Sequence, residues 1–398
     1  MHKPDAILEP LPYHLELRDY LKVHERDLWN WFASAQAQAD YTQHLRMELL
    51  KSTYRLDPQN HADLYKSVDA ARERLHLDIP VTIYQAQNNP HSNATLFFMP
   101  GEGHIVFSGP LLTLLNAEEL HSVIGHELAH YFLWSRDNGE YHIADRLLLA
   151  AAGDPRAARC HVETARRFQL YTEIFADRGS LRVAGDVLSV VSGLVKIQTG
   201  LSNVSAAAYL KQAEEIFARG VTSTDGFSHP ESFIRARALV LWQERPIDSE
   251  AQISAMLEGI TEFEGLDVIG QTRVASATRT VLRHLLRPKW FQTPAVIGHA
   301  RLFFEDFHAD STVPLPVLPK FTDSRLQEYF CYVLLDFVRT DPDLNEMPLA
   351  AALDLSRQLD LESEFEKIAA KELRMKTRDV RKLREQAAEL LAKAEVAG

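Results

Sequence analysis

The pentapeptide His126-Glu127-Leu128-Ala129-His130 constrains this chain more than any other stretch of it. Residues four apart share a face on a helix, so two imidazoles at this spacing meet one metal ion if the backbone is helical. Glu127 lies one step round that helix, close enough to hydrogen-bond a water on the metal but not placed as a third ligand. The flanking residues support the helix. Asn116 suits an N-cap, Glu119 stands in the capping-box position three residues later, and Leu120, Val123, Ile124, Leu128 and Tyr131 form an apolar face. With 17 histidines in the chain, the pentapeptide arises by chance with a probability of roughly a few per cent, so its setting matters. His121, five residues before His126, points away from the metal face and reads as structural.

A catalytic zinc needs three protein ligands and one open position. Downstream, Glu173-Ile174-Phe175-Ala176-Asp177 offers two carboxylates four apart on a second helix, expected over 163–183. Glu173 is assigned as the third ligand. Asp177 is assigned to hold a ligand histidine through a hydrogen bond.

Ahead of this helical region the period changes. Residues 80–84, 94–98 and 104–107 alternate and are rich in β-branched or aromatic residues, which predicts three short strands, the last two forming a hairpin. The first 75 residues read as helical, with amphipathic stretches at 15–32 and 41–54. The run 183–195 is the most apolar in the chain; it carries Asp186 and falls short of the ~20 residues of a membrane span, so a buried helix is expected. A third helix follows His229-Pro230, and the chain stays helical after Arg245-Pro246. Pro314, Pro316 and Pro319 make 310–320 an extended linker. These signals give an α+β, predominantly helical fold with a small β-sheet. The expected organisation is an N-terminal helical region over 1–75, a catalytic domain over 76–245, a helical extension with the linker over 246–322, and a C-terminal helical domain over 323–398.

Four ordered motifs carry a family resemblance. They are the strand at Asn93-Ala94 with the segment from Ile105 to Leu112, the stretch from Glu119 to His130, Glu173-x-x-x-Asp177, and His229-Pro230-Glu231-Ser232-Phe233-Ile234-Arg235. From about Leu75 to Leu241 the sequence resembles the M48 peptidases of the gluzincin type, which include the membrane-bound CAAX prenyl protease and bacterial quality-control proteases. The resemblance implies a zincin-like catalytic domain with one zinc at His126, His130 and Glu173, and Glu127 as general base and acid. It also implies that His229 and Arg235 line the active site. Unlike many members, this chain has no apolar segment of membrane-spanning length, which argues against a membrane-embedded or prenylated substrate.

The function so implied is a zinc-dependent endopeptidase acting on protein or peptide substrates, in which Glu127 takes the proton of a zinc-activated water. His229 is the candidate second donor to the oxyanion. Alternatively it occupies the fourth zinc position in a latent resting state. Arg235 is expected to hold His229 or Asp177, or to pair on the surface. Substrate is expected to add a strand to the sheet edge near Asn93 and Ala94. The reading from another class is a metal-stabilised chaperone-like or binding module without turnover; a carboxylate beside the ligand, which such a module does not need, argues against it.

Charge and cysteine usage narrow the partners. The 43 basic and 55 acidic residues give a net charge of -12, which disfavours nucleic acid and anionic lipid. Cys160 and Cys331 form no metal or redox spacing, and the absence of a secretory signal makes a cytoplasmic location the expectation. The aromatic cluster 28–32 is expected to pack on the core, and His104 to be solvated. Gly125, costing roughly 1 kcal/mol of helix propensity relative to alanine, suggests a neighbour packed closely against the metal helix. Residues 371–384 carry seven basic side chains against two acidic ones. They read as a solvated helix packing on its own domain; recruitment of a protein partner through the C-terminal domain is the alternative.

Overall fold

Four strands, β1 (Thr53–Arg55), β2 (Val81–Ala86), β3 (Asn93–Met99) and β4 (Glu102–Ser108), form one sheet in the order β1-β2-β4-β3. The expected hairpin is β3–β4, antiparallel, with Leu96 opposite Ile105. β2 runs parallel to β4, and β1 antiparallel to β2. β3 therefore ends the sheet, pairing among the described residues only with β4. These strands and the surrounding helices belong to a computed structural model that describes residues 8–220, 222–226, 228–244, 249–259, 263–309 and 324–397. The chain divides into two compact units, Met1–Thr261 and Glu262–Gly398. The fold is α+β and predominantly helical, as expected.

In the first unit the helix Ala117–Ser135 (the two-histidine helix) begins at a capping box. The Asn116 side chain accepts the Glu119 N–H at 2.9 Å, and the Glu119 carboxylate accepts the Asn116 N–H at 2.8 Å. The same carboxylate accepts from Ser192 Oγ at 2.6 Å and Lys196 Nζ at 2.8 Å. Burial alone would raise the Glu119 pKa, but these donors and the lysine charge hold it low. Ser192 and Lys196 lie on the helix Val187–Thr199 (the wall helix), so one buried carboxylate both caps the first helix and anchors the second.

Several sequence expectations need correction. The run 183–195 is not one helix. The helix Arg159–Ala184 (the carboxylate helix) stops at Gly185, whose φ of 73° continues no helix, and Asp186 caps the wall helix by accepting the Ser189 N–H at 2.9 Å. The stretch 15–32 is two helices, Pro12–His24 and Arg26–Ala33, which meet at Glu25. The stretch 41–54 ends its helix at Ser52, because Thr53–Arg55 pairs with β2 and tertiary pairing overrides helical periodicity. The aromatic cluster packs only in part: Trp29 and Phe32 are buried, whereas Leu28 is 48% and Trp31 60% exposed. His104 is buried rather than solvated, its Nδ1 3.2 Å from the Tyr84 hydroxyl. His121 bonds to Ser67 Oγ at 2.8 Å, a structural role.

The second unit is helical around a core that includes Phe330, Phe337, Leu353 and Phe365. In its last helix, Thr377–Ala397, Val380, Leu383 and Ala387 are buried, and Arg384 pairs with Glu366 at 2.7 Å. The basic stretch thus packs on its own domain. The proline-rich 310–320 lies outside the described residues. No helix among the described residues is long and apolar enough to cross a membrane.

His14 ties the N-terminal helix to the core. Its Nδ1 accepts the Leu11 N–H at 3.2 Å, so Nε2 carries the proton and faces Thr172 Oγ1 at 3.3 Å. Burial drives its pKa down to about 3. Below about pH 6.5 the unfolded chain takes up a proton at this site that the native state refuses until about pH 3, so the native form loses stability as pH falls through that window. Urea unfolding at pH 7 and pH 5 should show a wild type that loses roughly 2 kcal/mol more than His14→Gln over the interval. Lys196→Met, by leaving Glu119 buried without its cation, should cost about 3 kcal/mol at pH 7 in the same assay.

Candidate active site

Two glycines set how closely the two-histidine and carboxylate helices approach. A Cβ on Gly125 would lie 2.7 Å from Val183 Cβ, and one on Gly179 would lie 2.2 Å from Ala129 Cβ. Neither position admits a larger side chain unless the helices separate. Ser180 Oγ adds a direct tie, donating to the Ser122 carbonyl at 2.7 Å.

At this separation a glutamate side chain reaches across to both histidines. His126 Nε2 lies 3.2 Å from His130 Nε2 and 3.5 Å from Glu173 Oε2, and His130 Nε2 lies 3.5 Å from Glu173 Oε1. Each residue offers one ligand atom, and the three atoms lie within 4.8 Å of one another. Two imidazole nitrogens and a carboxylate oxygen aimed at one point suit a divalent cation of intermediate softness. These residues fit a metal.

The remaining contacts orient the ligands. Asp177 Oδ1 lies 3.1 Å from His126 Nδ1, so this nitrogen donates and Nε2 presents its lone pair to the cluster. Arg235, on the helix Ser232–Glu244, holds Asp177 through two bonds, Nε–Oδ2 at 2.7 Å and Nη2–Oδ1 at 2.6 Å. Burial alone would lower the pKa of His126, but Asp177 and Glu173 outweigh it and raise it to about 10, so a metal ion binding here displaces the Nε2 proton to gain that lone pair. Burial would likewise raise Glu173 and Asp177, yet the cationic neighbours hold both well below the usual carboxylate range. His130 is held differently. Burial pushes it down to about 3, its Nδ1 has no hydrogen-bond partner among the described residues, and its ring stacks on Trp134 at 5.3 Å.

Glu127 is buried beside the ligands, and burial pushes its pKa up to about 7. The charges of His126 and Arg235 and the dipole of the Leu96 N–H act the other way. A strand residue directs its N–H and C=O to the same side; Gly103, opposite Phe98, gives its N–H to the Pro80 carbonyl at 3.0 Å, away from β3, so Phe98 and with it Leu96 and Ala94 turn their backbone polar groups to the free edge.

All nine residues singled out in the sequence line one cleft of about 410 Å³: Asn93, Ala94, His126, Glu127, His130, Glu173, Asp177, His229 and Arg235. His229 is the most open of the ionisable ones, with a side chain 58% exposed and Nε2 3.5 Å from Glu173 Oε1. Arg235 pairs with Asp177 rather than on the surface. Sequence reasoning missed Trp134 and the wall-helix residues Val190, Leu194 and Ile197, which also line the cleft. Trp134 follows His130 by four residues, a spacing that could have revealed it. Val190 and Leu194 lay in the run 183–195, read only as buried, and Ile197 lies just beyond it.

Gly179→Leu should force the two helices apart at a cost of about 1–3 kcal/mol and lower metal affinity, as measured by chelator competition. Gly125→Leu should do the same. Unchanged affinity in both would show that helix separation does not set the ligand geometry.

Comparison with known proteins bears on the same region. Residues 58–243 match the model of peptidase family M48. A curated relative, the plastoglobule-localized metallopeptidase 48, chloroplastic, of Arabidopsis thaliana, is 28% identical over 232 residues. That match covers 54% of this chain and 66% of the relative, just under two thirds of the latter's length. No solved structure matches significantly. The segment that matches peptidase family M48, residues 58–243, contains both ligand helices and the sheet edge.

Proposed function

We propose that this chain is a zinc-dependent endopeptidase. The observation that carries the reading is the convergence of His126, His130 and Glu173 on one point, with the buried Glu127 carboxylate beside it. A zinc ion on these three side chains supplies Lewis-acid polarisation of the scissile carbonyl and an acidified water. Glu127, buried beside the three ligands, is suited to take the proton of the attacking water and pass it to the departing amine. Asp177 keeps His126 in the tautomer that a ligand requires, and Arg235 keeps Asp177 in place. His229, open to the cleft and close to Glu173, is placed to donate to the oxyanion of the tetrahedral intermediate.

Substrate binding follows from the free edge of β3. Ala94 directs its backbone polar groups toward the cleft, so an extended peptide can pair there as an added strand. The opposite wall, Val190, Leu194 and Ile197, favours an apolar side chain near the scissile bond.

An unfolded protein substrate offered to zinc-loaded wild type and zinc-loaded Glu127→Gln tests the reading. Cleavage should fall by about 10²–10⁴-fold in the variant while the bound zinc, one ion per chain, is retained. Equal cleavage by both would refute the role of Glu127. Silence from both with zinc bound would favour a binding module without turnover.

A further inference from the structure

A second cavity, of about 320 Å³, lies in the same unit. Phe98, Tyr131, His142 and Ile143 contribute to its walls, with Tyr41 and Arg146 beside them. A layer of aromatic rings separates it from the metal ligands. Trp134, stacked on His130, meets Phe98 at 6.2 Å and His142 at 5.9 Å between ring centroids. β3 runs past both spaces, with Asn93 to Leu96 lining the cleft and Phe98 lining the second cavity. At about 3.3 Å per residue, Phe98 stands roughly 7 Å beyond Leu96 along the strand. Its backbone polar groups face the same free edge.

The charge in this cavity is one-sided. Among the described residues lining it none is acidic, and Arg146 is the one permanently charged side chain. Its guanidinium carbon lies 4.2 Å from the Tyr41 ring centroid and 5.2 Å from that of Phe32. Among the described residues Arg146 makes no hydrogen bond or ion pair. The neighbouring Asp145 carboxylate attracts Arg146 through space but takes its hydrogen bond from Gln169 Nε2 at 2.5 Å. A half-buried guanidinium held flat by two rings keeps its fork of donors for an incoming anion.

We propose that this cavity is a subsite for a carboxylate of the bound polypeptide, either an acidic side chain or the chain's own C-terminus, with Arg146 as its counter-charge. The aromatic walls pack on the aliphatic part of that residue, and the ligand reaches the cavity by continuing along β3 past Leu96. The position read lies about two to four residues from the scissile bond.

The inference rests on the peptidase reading for the identity of its ligand, and the test separates the two. The full chain is assayed with fluorogenic peptides of one core sequence. They carry Glu, Gln or Lys at each position two to four residues from the scissile bond, each with a free or an amidated C-terminus. At one position Glu should exceed Gln in kcat/KM by about tenfold or more, or the free terminus should exceed the amide by as much. The ratio should fall to about one in Arg146→Gln and be reduced in Arg146→Lys, which keeps the charge but not the planar fork. Equal treatment of every pair by the wild type, or a ratio that survives in Arg146→Gln, overturns the proposal. If near-UV circular dichroism shows that Arg146→Gln has lost its fold, Arg146→Lys decides: a reduced ratio supports the subsite and an unchanged one overturns it. Anisotropy of the same peptides, dye-labelled, on Glu127→Gln chains supplies the binding arm. Binding that depends on the carboxylate and on Arg146, without hydrolysis by the wild type, refutes the peptidase reading and leaves the subsite standing. Hydrolysis without carboxylate preference does the reverse.

Discussion

The close contact between two helices, made at Gly125 against Val183 and at Gly179 against Ala129, underlies the rest of the first unit. A carboxylate on one helix can share an ion with two imidazoles on another only if the backbones come close, and any side chain at either glycine would hold them apart. The helix propensity lost at two glycines, roughly 1 kcal/mol each, is the energetic cost of that proximity. Ligand spacing is thus a property of the packing beneath the site as much as of the ligands.

Two buried ion networks secure that packing at two points along the two-histidine helix. At the start of the two-histidine helix, Glu119 bonds its own cap and the wall helix through Lys196. Near its middle, Asp177 and Arg235 link His126 to a third helix. A buried charge is costly when alone, and each carboxylate here is surrounded by enough donors to stay ionised. The two ligand histidines are treated unequally. His126 has a carboxylate behind it, whereas His130 has only the face of Trp134.

The sequence exposed the parts of this arrangement that depend on local spacing. The capping box at Asn116, the paired histidines, the four-residue step from Glu173 to Asp177 and the β3–β4 hairpin are all short-range patterns, and the structure contains them. What it concealed depends on contacts distant along the chain. Thr53–Arg55 becomes a strand because β2 is there to pair with it. His104 is buried because Tyr84 and the sheet cover it, although its strand opens with polar residues. The break at Gly185-Asp186 was readable in principle from a glycine followed by a capping aspartate, but hydrophobicity on both sides masked it. Gly179 went unnoticed for a similar reason, since nothing in its neighbours records which residue faces it across the helix contact.

The free edge of β3 has a further consequence. A sheet that ends in an unpaired strand invites other strands to join, and proteins usually block such edges to avoid association. Here the edge borders a narrow cleft whose other sides include the two-histidine helix and the wall helix. A single extended chain can enter it, whereas the edge of a second sheet brings its neighbouring strand and covering helices with it and would meet the cleft walls. The walls that hold a polypeptide in place would thus also keep neighbouring copies of this protein from stacking onto one another.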